Sequence, residues 1–147
     1  MAPRSAADRK ADTLRLLDTE KDAWVATGDR AGQGYLVPLS IWWDGERLTM
    51  ATQARSRTCR NLADGGTLRL GVGGTRDLVM IDGTVDVHAV GDEAVVAQGF
   101  AARHQWDPRD DDGEWVFIRV RPTRVQAWRE ADEIAGRTIM RDGRWVV

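Results

Sequence analysis

The spacing of hydrophobic residues changes from a helical to an extended pattern early in the chain. Over residues 6–19, Ala11, Leu14, Leu16 and Leu17 recur near helical spacing, which predicts a short helix able to cap a core. Beyond it, apolar runs separated by turn residues predict strands over residues 24–27, 35–43, 47–52, 67–72, 78–89, 115–120 and 125–128, and a closing hairpin over residues 137–140 and 144–147. The runs at 115–120 and 125–128 can also form one long strand bent at Pro122.

Alternation is clearest over residues 78–89. The apolar positions that share one face there are Val79, Ile81, Val85, Val87 and Ala89. The strand is followed by a predicted helix over residues 92–103, with Asp92 as its N-cap and with Val95 and Ala102 among its buried residues.

Short turns join most of these strands. Asp44 and Gly45 are a two-residue hairpin signal, and Pro38 inside a strand predicts an edge or an interrupted pairing. Six or more strands with few helices indicate a mainly β fold, either a barrel or a sandwich. The length of 147 residues suits one domain, so we expect a single domain over residues 1–147, with the helix inside residues 1–20 packing on it.

Composition and charge exclude several classes of protein. A formal net charge of −2 argues against a protein that coats nucleic acid. No run of about 18 apolar residues predicts a membrane span, and the polar N-terminus lacks a signal core, so we expect a cytoplasmic protein. Cys59 is the only cysteine, which rules out a disulfide within one chain.

A cluster of hydrogen-bond donors lies where a predicted strand gives way to a helix. The stretch TQARSRTCRNL, residues 52–62, contains three arginines, three hydroxyls and one asparagine. In a helix over residues 56–64, one face would carry Arg57, Arg60, Asn61 and Asp64, and the opposite, apolar face Cys59, Leu62 and Ala63. Free N–H groups, the Ser56 and Thr58 hydroxyls and planar guanidinium groups together predict an anion site suited to phosphate. The alternative is a solvated helix start with ordinary surface arginines.

Other motifs carry less chemistry. GVGGTRD, residues 71–77, precedes a predicted strand rather than a helix, which favours a tight turn over a phosphate loop. DPRDDDGE has the wrong residues at the first and last positions of a calcium loop. The two histidines and Cys59 have no metal-ligand spacing, so no metal site is predicted. Trp42 and Trp43 must point to opposite sides of their strand, and the seven tryptophans together suggest an aromatic cleft or a dimer interface.

The order of these segments resembles a known family. WVAT, a turn, VPLSIWWDGERLTMAT and then SRTCRNL are similar to the split β-barrel flavin and deazaflavin oxidoreductases, the relatives of pyridoxamine 5′-phosphate oxidase. The likeness covers residues 24–87, returns at RPTRVQAW (121–128) and reaches Arg137. It implies a split barrel of about six to eight mostly antiparallel strands, and a homodimer with a flavin-type cofactor in each of two clefts between the subunits.

The resemblance also implies site residues. Val37, Pro38, Leu39 and Ser40 would lie along the ring system, and Ala51 and Thr52 would approach the ring or the chain that leads to the phosphate. Ser56, Arg57 and Thr58 would hold the phosphate, with Asn61 nearby. Trp128 and Arg137 would reach across from the other subunit.

The sequence departs from the family pattern at three places. Many relatives have lysine where this chain has Thr58, which removes a fixed charge that Arg57 and Arg60 would have to replace. Residues 132–137, DEIAGR, keep only the final arginine of the RLHDR-like segment that binds substrate in the oxidases proper, so pyridoxine phosphate is not the expected substrate. Leu78 occupies a position where those oxidases have a polar ring contact.

Two functions follow from the resemblance. One is an oxidoreductase that transfers a hydride between its cofactor and a small organic substrate, with the cofactor supplying the chemistry. FMN is favoured because Trp128 and Arg137 match the FMN-oxidase pattern, whereas the acidic tail of the deazaflavin coenzyme F420 would suit Arg55, Arg57 and Arg60. The other is a carrier or sequestering protein for a flavin, haem or similar planar ligand, without turnover. A third possibility is a barrel that binds a partner and leaves its cleft empty.

Overall fold

A computed structural model describes residues 2–147, which form eight strands and three helices. The helices are α1 (Ala6–Thr19), α2 (Arg57–Ala63) and α3 (Ala94–His104). The strands are β1 (Asp22–Gly28), β2 (Gly34–Trp43), β3 (Leu48–Gln53), β4 (Leu68–Gly74), β5 (Asp77–Ala89), β6 (Trp115–Trp128), β7 (Thr138–Arg141) and β8 (Arg144–Trp145). Two short 3₁₀ turns lie at Pro108–Asp110 and Ala131–Glu133.

Six of the strands close into an antiparallel barrel. The strand order is β3-β2-β1-β4-β5-β6, and β3 also pairs with β6, which closes the ring. β7 and β8 extend from the outer side of β6. The predicted mainly β split barrel is therefore confirmed, and the two candidate strands around Pro122 are the single long strand β6.

A bulge bends β6 where it crosses β5. Asp82 pairs with Arg124 but Gly83 pairs with Pro122, so Thr123 has no opposite residue. A Cβ atom at Gly83 would lie 2.2 Å from the Arg121 carbonyl oxygen. Glycine at this position lets the two strands approach closely through the bend.

Two apolar clusters hold the barrel together. The first fills the interior and includes Val25, Ile41, Leu70, Ile81 and Ile118, all fully buried. The second lies outside the barrel wall beneath α3 and is formed by Ala51, Val90, Val96, Ala97, Phe100 and Phe117. Trp42 packs at this second cluster and Trp43 against the first, so the prediction that they point to opposite sides is confirmed.

The predicted start and buried face of α3 were wrong. The N-cap position is Glu93 rather than Asp92, and its side chain makes no capping hydrogen bond. Val95 is 78% exposed and Ala102 is exposed, whereas Val96, Ala97 and Phe100 are buried. Contact with the barrel wall determines which face of α3 is buried. The helical spacing of its apolar residues did not distinguish between the possible faces.

The buried face of α1 differs from that predicted. Ala11 is exposed, whereas Arg9 and Thr13 are buried beside Leu17. On β5 the alternation predicted over residues 78–89 is unbroken, but burial is limited to its first half: Val79 and Ile81 are buried, whereas Val87 and Ala89 are exposed where β5 has left β4 and pairs with β6 alone.

Buried ion pairs fasten α1 to the loop at residues 129–137. The side chain of Glu133 is only 3% exposed. Its carboxylate accepts hydrogen bonds at 3.0 Å from Arg4 Nε, from the Arg4 guanidinium Nη2 and from the Arg4 backbone N–H, and one at 2.9 Å from the Arg129 N–H. The hydrogen bonds from Arg4 lower the pKa of Glu133 to about 2.

None of the helices in residues 2–147 is both long and apolar enough to cross a membrane.

We predict that replacing Glu133 by glutamine makes the free energy of unfolding less sensitive to a fall in pH. A carboxylate with a depressed folded-state pKa stabilises the fold above its unfolded-state pKa and loses that contribution as the pH falls. The wild type should therefore lose about 3 kcal/mol relative to Glu133→Gln between roughly pH 5 and pH 2, measured by urea unfolding across that range. Glu130→Gln is the control, because Glu130 forms only an exposed pair with Arg76. A constant difference between wild type and Glu133→Gln would contradict the expectation.

Candidate functional site

The barrel opens into a split between β2 and β3. The two strands pair only at Ile41, Trp42 and Trp43 on β2. Residues 37–40 of β2 pair with β1 alone, and residues 51–53 of β3 pair with β6 alone. Each strand therefore presents an unpaired backbone edge to the other across the split.

Six of the predicted site residues lie on these two edges. They are Val37, Pro38, Leu39 and Ser40 on β2, and Ala51 and Thr52 on β3. Pro38 has no N–H to donate and lies on the unpaired edge, in agreement with the predicted interruption of pairing. The Ala51 side chain is buried beneath α3, so only its backbone lies along the split. The Ser40 hydroxyl donates to Asp22 Oδ1 at 2.9 Å.

Helix α2 lies at the foot of the split. It follows β3 directly but packs on β1, so it spans the gap between the two diverging strands. Ser56 is its N-cap, and the Ser56 Oγ accepts a hydrogen bond from the Cys59 N–H at 3.2 Å. The Arg57 guanidinium lies 5.6 Å from the centre of the Tyr35 ring on β2. Tyr35 thus joins the site, although in the sequence nothing marked it beyond its place near the start of β2.

The arginines of α2 and the preceding turn are free of acidic partners. Arg55, Arg57 and Arg60 are exposed, and none forms an ion pair with any acid in residues 2–147. The ion pairs found in residues 2–147 all involve arginines elsewhere, such as Arg69 with Asp82. A group of uncompensated guanidinium groups beside two open backbone edges is suited to an anion.

The predicted faces of α2 were partly wrong. Asn61 was expected to face outward, but it is buried and its Nδ2 donates to the Thr27 hydroxyl at 3.0 Å. Ala63 was expected to be buried and is exposed. Thr58 is also buried, with an exposed fraction of 2%, so its hydroxyl is turned away from solvent. The Thr27 hydroxyl, near the end of β1, is the buried partner of Asn61. This polar contact turns Asn61 inward, so that the buried face of α2 differs from the one that its apolar residues predict.

Trp128 and Arg137 lie together but far from α2. The Arg137 guanidinium is 5.7 Å from the centre of the Trp128 ring. Trp128 is opposite Leu78, and Leu78 is opposite Gly73 on β4, whereas Thr27 beside α2 is opposite Leu68. Five residues of extended strand separate the two levels, which is roughly 17 Å at the usual rise. Within one chain these two groups do not form a single site.

An uncovered apolar surface occupies the outer face of the sheet beside Trp128. Trp24 is 54% exposed and Leu36 59% exposed, and with Leu78 and Met80 they line a groove of about 390 Å³. Large exposed apolar groups side by side on a sheet are typical of an interaction surface. Sequence analysis missed this surface, although Trp24 and Leu36 lie on strands whose pairing alternates their side chains inward and outward.

Two titratable groups near β2 are held in hydrogen bonds of their own, and one is the Asp22 carboxylate, which accepts from the Ser40 hydroxyl. His104 Nε2 is 2.8 Å from the Ile41 carbonyl oxygen, and burial lowers the pKa of this imidazole although that hydrogen bond opposes the effect. Within residues 2–147, no three His, Cys, Asp or Glu side chains are grouped as a metal ion would need. The arrangement can bind and orient an anionic, planar ligand.

Comparison with known proteins gives one family match. The family model described as pyridoxamine 5′-phosphate oxidase matches residues 10–129. No curated protein sequence matches the chain significantly.

Several solved structures share the fold. A protein titled F420 reductase is 22% identical, with a TM-score of 0.63, and the match covers 76% of this chain and 93% of that one. General stress protein 26 from Bacillus anthracis is 13% identical, with a TM-score of 0.66 and coverage of 81% and 92%. A protein related to general stress protein 26, from Clostridium acetobutylicum and assigned to the pyridoxinephosphate oxidase family, is 13% identical, with a TM-score of 0.66 and coverage of 86% and 92%. These likenesses concern the fold.

We predict that Asn61 stabilises the protein even without a ligand. Asn61→Ala should lower the free energy of unfolding by about 1–3 kcal/mol, because the Thr27 hydroxyl loses its buried partner. Arg60→Ala, an exposed change on the same helix, should alter it by less than about 0.5 kcal/mol. Chemical unfolding of the ligand-free proteins measures both, and equal stabilities would refute a structural role for Asn61.

Proposed function

Because the chain belongs to the pyridoxamine 5′-phosphate oxidase family, we propose that it is an oxidoreductase that binds a flavin-type cofactor in the split between β2 and β3. The observation that carries the proposal is the pair of unpaired strand edges next to arginines that have no acidic partner. The cofactor would supply the hydride chemistry, and the second reactant would be a small organic molecule.

The residues present fit such a cofactor with one change from the family pattern. The open edges at residues 37–40 and 51–53 offer backbone N–H and C=O groups that could meet the polar rim of a planar ring. The phosphate would lie against Arg57, which is exposed beside the N-cap Ser56. Thr58 is buried and supplies no charge in place of the family lysine, so the positive charge falls to the arginines.

In this proposal the protein acts by binding and orientation. Leu39 and Val37, on the inward face of β2, would keep water from one side of the ring, and the guanidinium of Arg57 would fix the other end of the cofactor. We assign no histidine or acid of the described chain a role in proton transfer.

A homodimer would complete the cleft. Trp128 and Arg137 cannot reach the α2 end of their own barrel, since five residues of β4 separate the two levels. The exposed apolar groove beside Trp128 supports a second copy as the partner, because its packing there would bury Trp24 and Leu36. Trp128 and Arg137 of each chain would then meet the cofactor bound by the other.

FMN is the favoured cofactor and F420 the alternative. The contact between Arg137 and Trp128 supports FMN, because both residues match the FMN-oxidase pattern and lie side by side. The fold likeness to a protein titled F420 reductase supports the deazaflavin, as do three free arginines that could face its acidic tail. A carrier of a flavin, haem or similar ligand is the second candidate function, favoured by the absence of a proton-transfer group at the split.

Titration of the purified protein with FMN and with F420, followed by fluorescence, tests the cofactor. We expect micromolar or tighter binding of FMN and weaker binding of F420, and bleaching of the bound flavin by a nicotinamide donor. In the same titration, Arg57→Ala should weaken binding by about 1.5–3 kcal/mol, because a charge-assisted hydrogen bond to phosphate is lost.

Arg144→Ala is the matched control, since Arg144 is exposed on β8 and makes no ion pair in residues 2–147. Unchanged affinity of Arg57→Ala would remove the phosphate assignment. Binding without bleaching by any donor would favour the carrier, and failure of both cofactors to bind would overturn the proposed function.

Sedimentation velocity tests the dimer. We expect the wild type to sediment as a dimer and Trp24→Glu as a monomer, because a charge would be buried at the centre of the interface. Val95→Glu, on the exposed side of α3, should leave the dimer intact. A monomeric wild type, or a dimeric Trp24→Glu, would contradict the proposed interface.

A further inference from the structure

The loop at residues 129–137 connects Trp128 to Arg137, and it has little structure of its own. Its only regular element is the single 3₁₀ turn Ala131–Glu133. The Arg137 N–H and one guanidinium N–H both reach the Ile134 carbonyl at 3.3 Å, near the upper limit for a hydrogen bond. From outside the loop, β6 holds the Arg137 backbone, because the Ala127 N–H donates to the Arg137 carbonyl at 2.9 Å. The stretch of the loop before Arg137 needs a separate support.

Arg9 on α1 supplies a contact immediately before Arg137. Its guanidinium Nη1 donates to the Glu133 carbonyl at 3.1 Å and to the Gly136 carbonyl at 3.0 Å. The Arg9 side chain is 9% exposed and also donates from Nε to the Arg4 carbonyl at 3.2 Å. Gly136 has a φ of +74°, so the chain turns sharply here and directs its carbonyl toward Arg9.

A buried guanidinium between two carbonyls costs desolvation energy, and its partners must offset that cost. Arg4 already neutralises Glu133 with a two-pronged contact, so the charge balance of the loop does not depend on Arg9 alone. The distinctive contribution of Arg9 is geometric, because Nη1 donates to both carbonyls and the planar guanidinium fixes the directions of its N–H bonds.

We propose that Arg9 is a positioning residue for Arg137, holding the loop so that the Arg137 guanidinium stays over the Trp128 ring. The role in cofactor binding rests on the proposed function, in which Arg137 and Trp128 meet the cofactor of the other subunit.

Hydrogen exchange of the full-length protein tests the positioning itself. In Arg9→Met, which keeps an unbranched side chain but removes the donors, the amides of Arg129 and Arg137 should exchange about tenfold faster or more, because the loop loses the external contacts at the Glu133 and Gly136 carbonyls while those of Arg4 and β6 remain. The amides of β4 and β5 should not change. Leu17→Ala is the matched control, since it weakens the packing of α1 in the barrel core without touching the loop.

Affinity for FMN tests the functional consequence. Arg9→Met should weaken FMN binding about tenfold, in the range seen when the support of a binding residue is removed. The same substitution should have no further effect in an Arg137→Ala background, because both changes act through one group. If Arg9→Met fails to fold, Arg9→Gln serves in both measurements, since it keeps a polar group but its amide is too short to reach the two carbonyls that the Arg9 Nη1 contacts.

The positioning role of Arg9 would be overturned if Arg9→Met left hydrogen exchange in the loop unchanged. It would also be overturned if Leu17→Ala accelerated that exchange equally. Additive effects of the Arg9 and Arg137 substitutions on affinity would overturn the link to the cofactor. A wild type that binds neither FMN nor F420 would overturn that link together with the proposed function, while the exchange experiment would still decide whether Arg9 positions the loop.

Discussion

The structure depends on where the pairing of β2 with β3 stops. The two strands share only three residue pairs, after which β3 continues with β6 and β2 with β1. Closure through β3 and β6 keeps the barrel intact, so the fold can tolerate two open backbone edges on its other side. Unpaired strand edges need partners, and proteins ordinarily cover or interrupt them. Here Pro38 interrupts one edge, and α2, which follows β3, packs on β1 with Arg57 over Tyr35 of β2.

Buried polar contacts organise both ends of the barrel. At one end the Asn61 amide and the Thr27 hydroxyl fix α2 on β1. At the other end Arg4 and Arg9 fix the loop that carries Arg137. A lost partner leaves a buried polar group unsatisfied, so each contact specifies one arrangement more strictly than apolar packing would. The two ends are too far apart to form one site in one chain, which is why the proposed function needs two.

In the proposed function the side chains bind and orient the cofactor and do not themselves react. A bound flavin-type cofactor brings its own reactivity, and the described chain places no histidine or acid along both edges of the split. The burial of Thr58 moves the task of holding a phosphate to exposed arginines.

Local periodicity and residue chemistry were enough to predict the strands, the hairpin at Asp44 and Gly45, the long alternation of β5 and the arginine cluster after β3. Which way the helices face depends instead on packing between distant segments. Asn61 and Arg9 turn inward because polar partners more than thirty residues away along the chain meet them there, and Val95 turns outward because the barrel wall receives its neighbours. A local pattern records what a side chain prefers, whereas the partners that satisfy a buried polar group are assembled only when distant segments pack together.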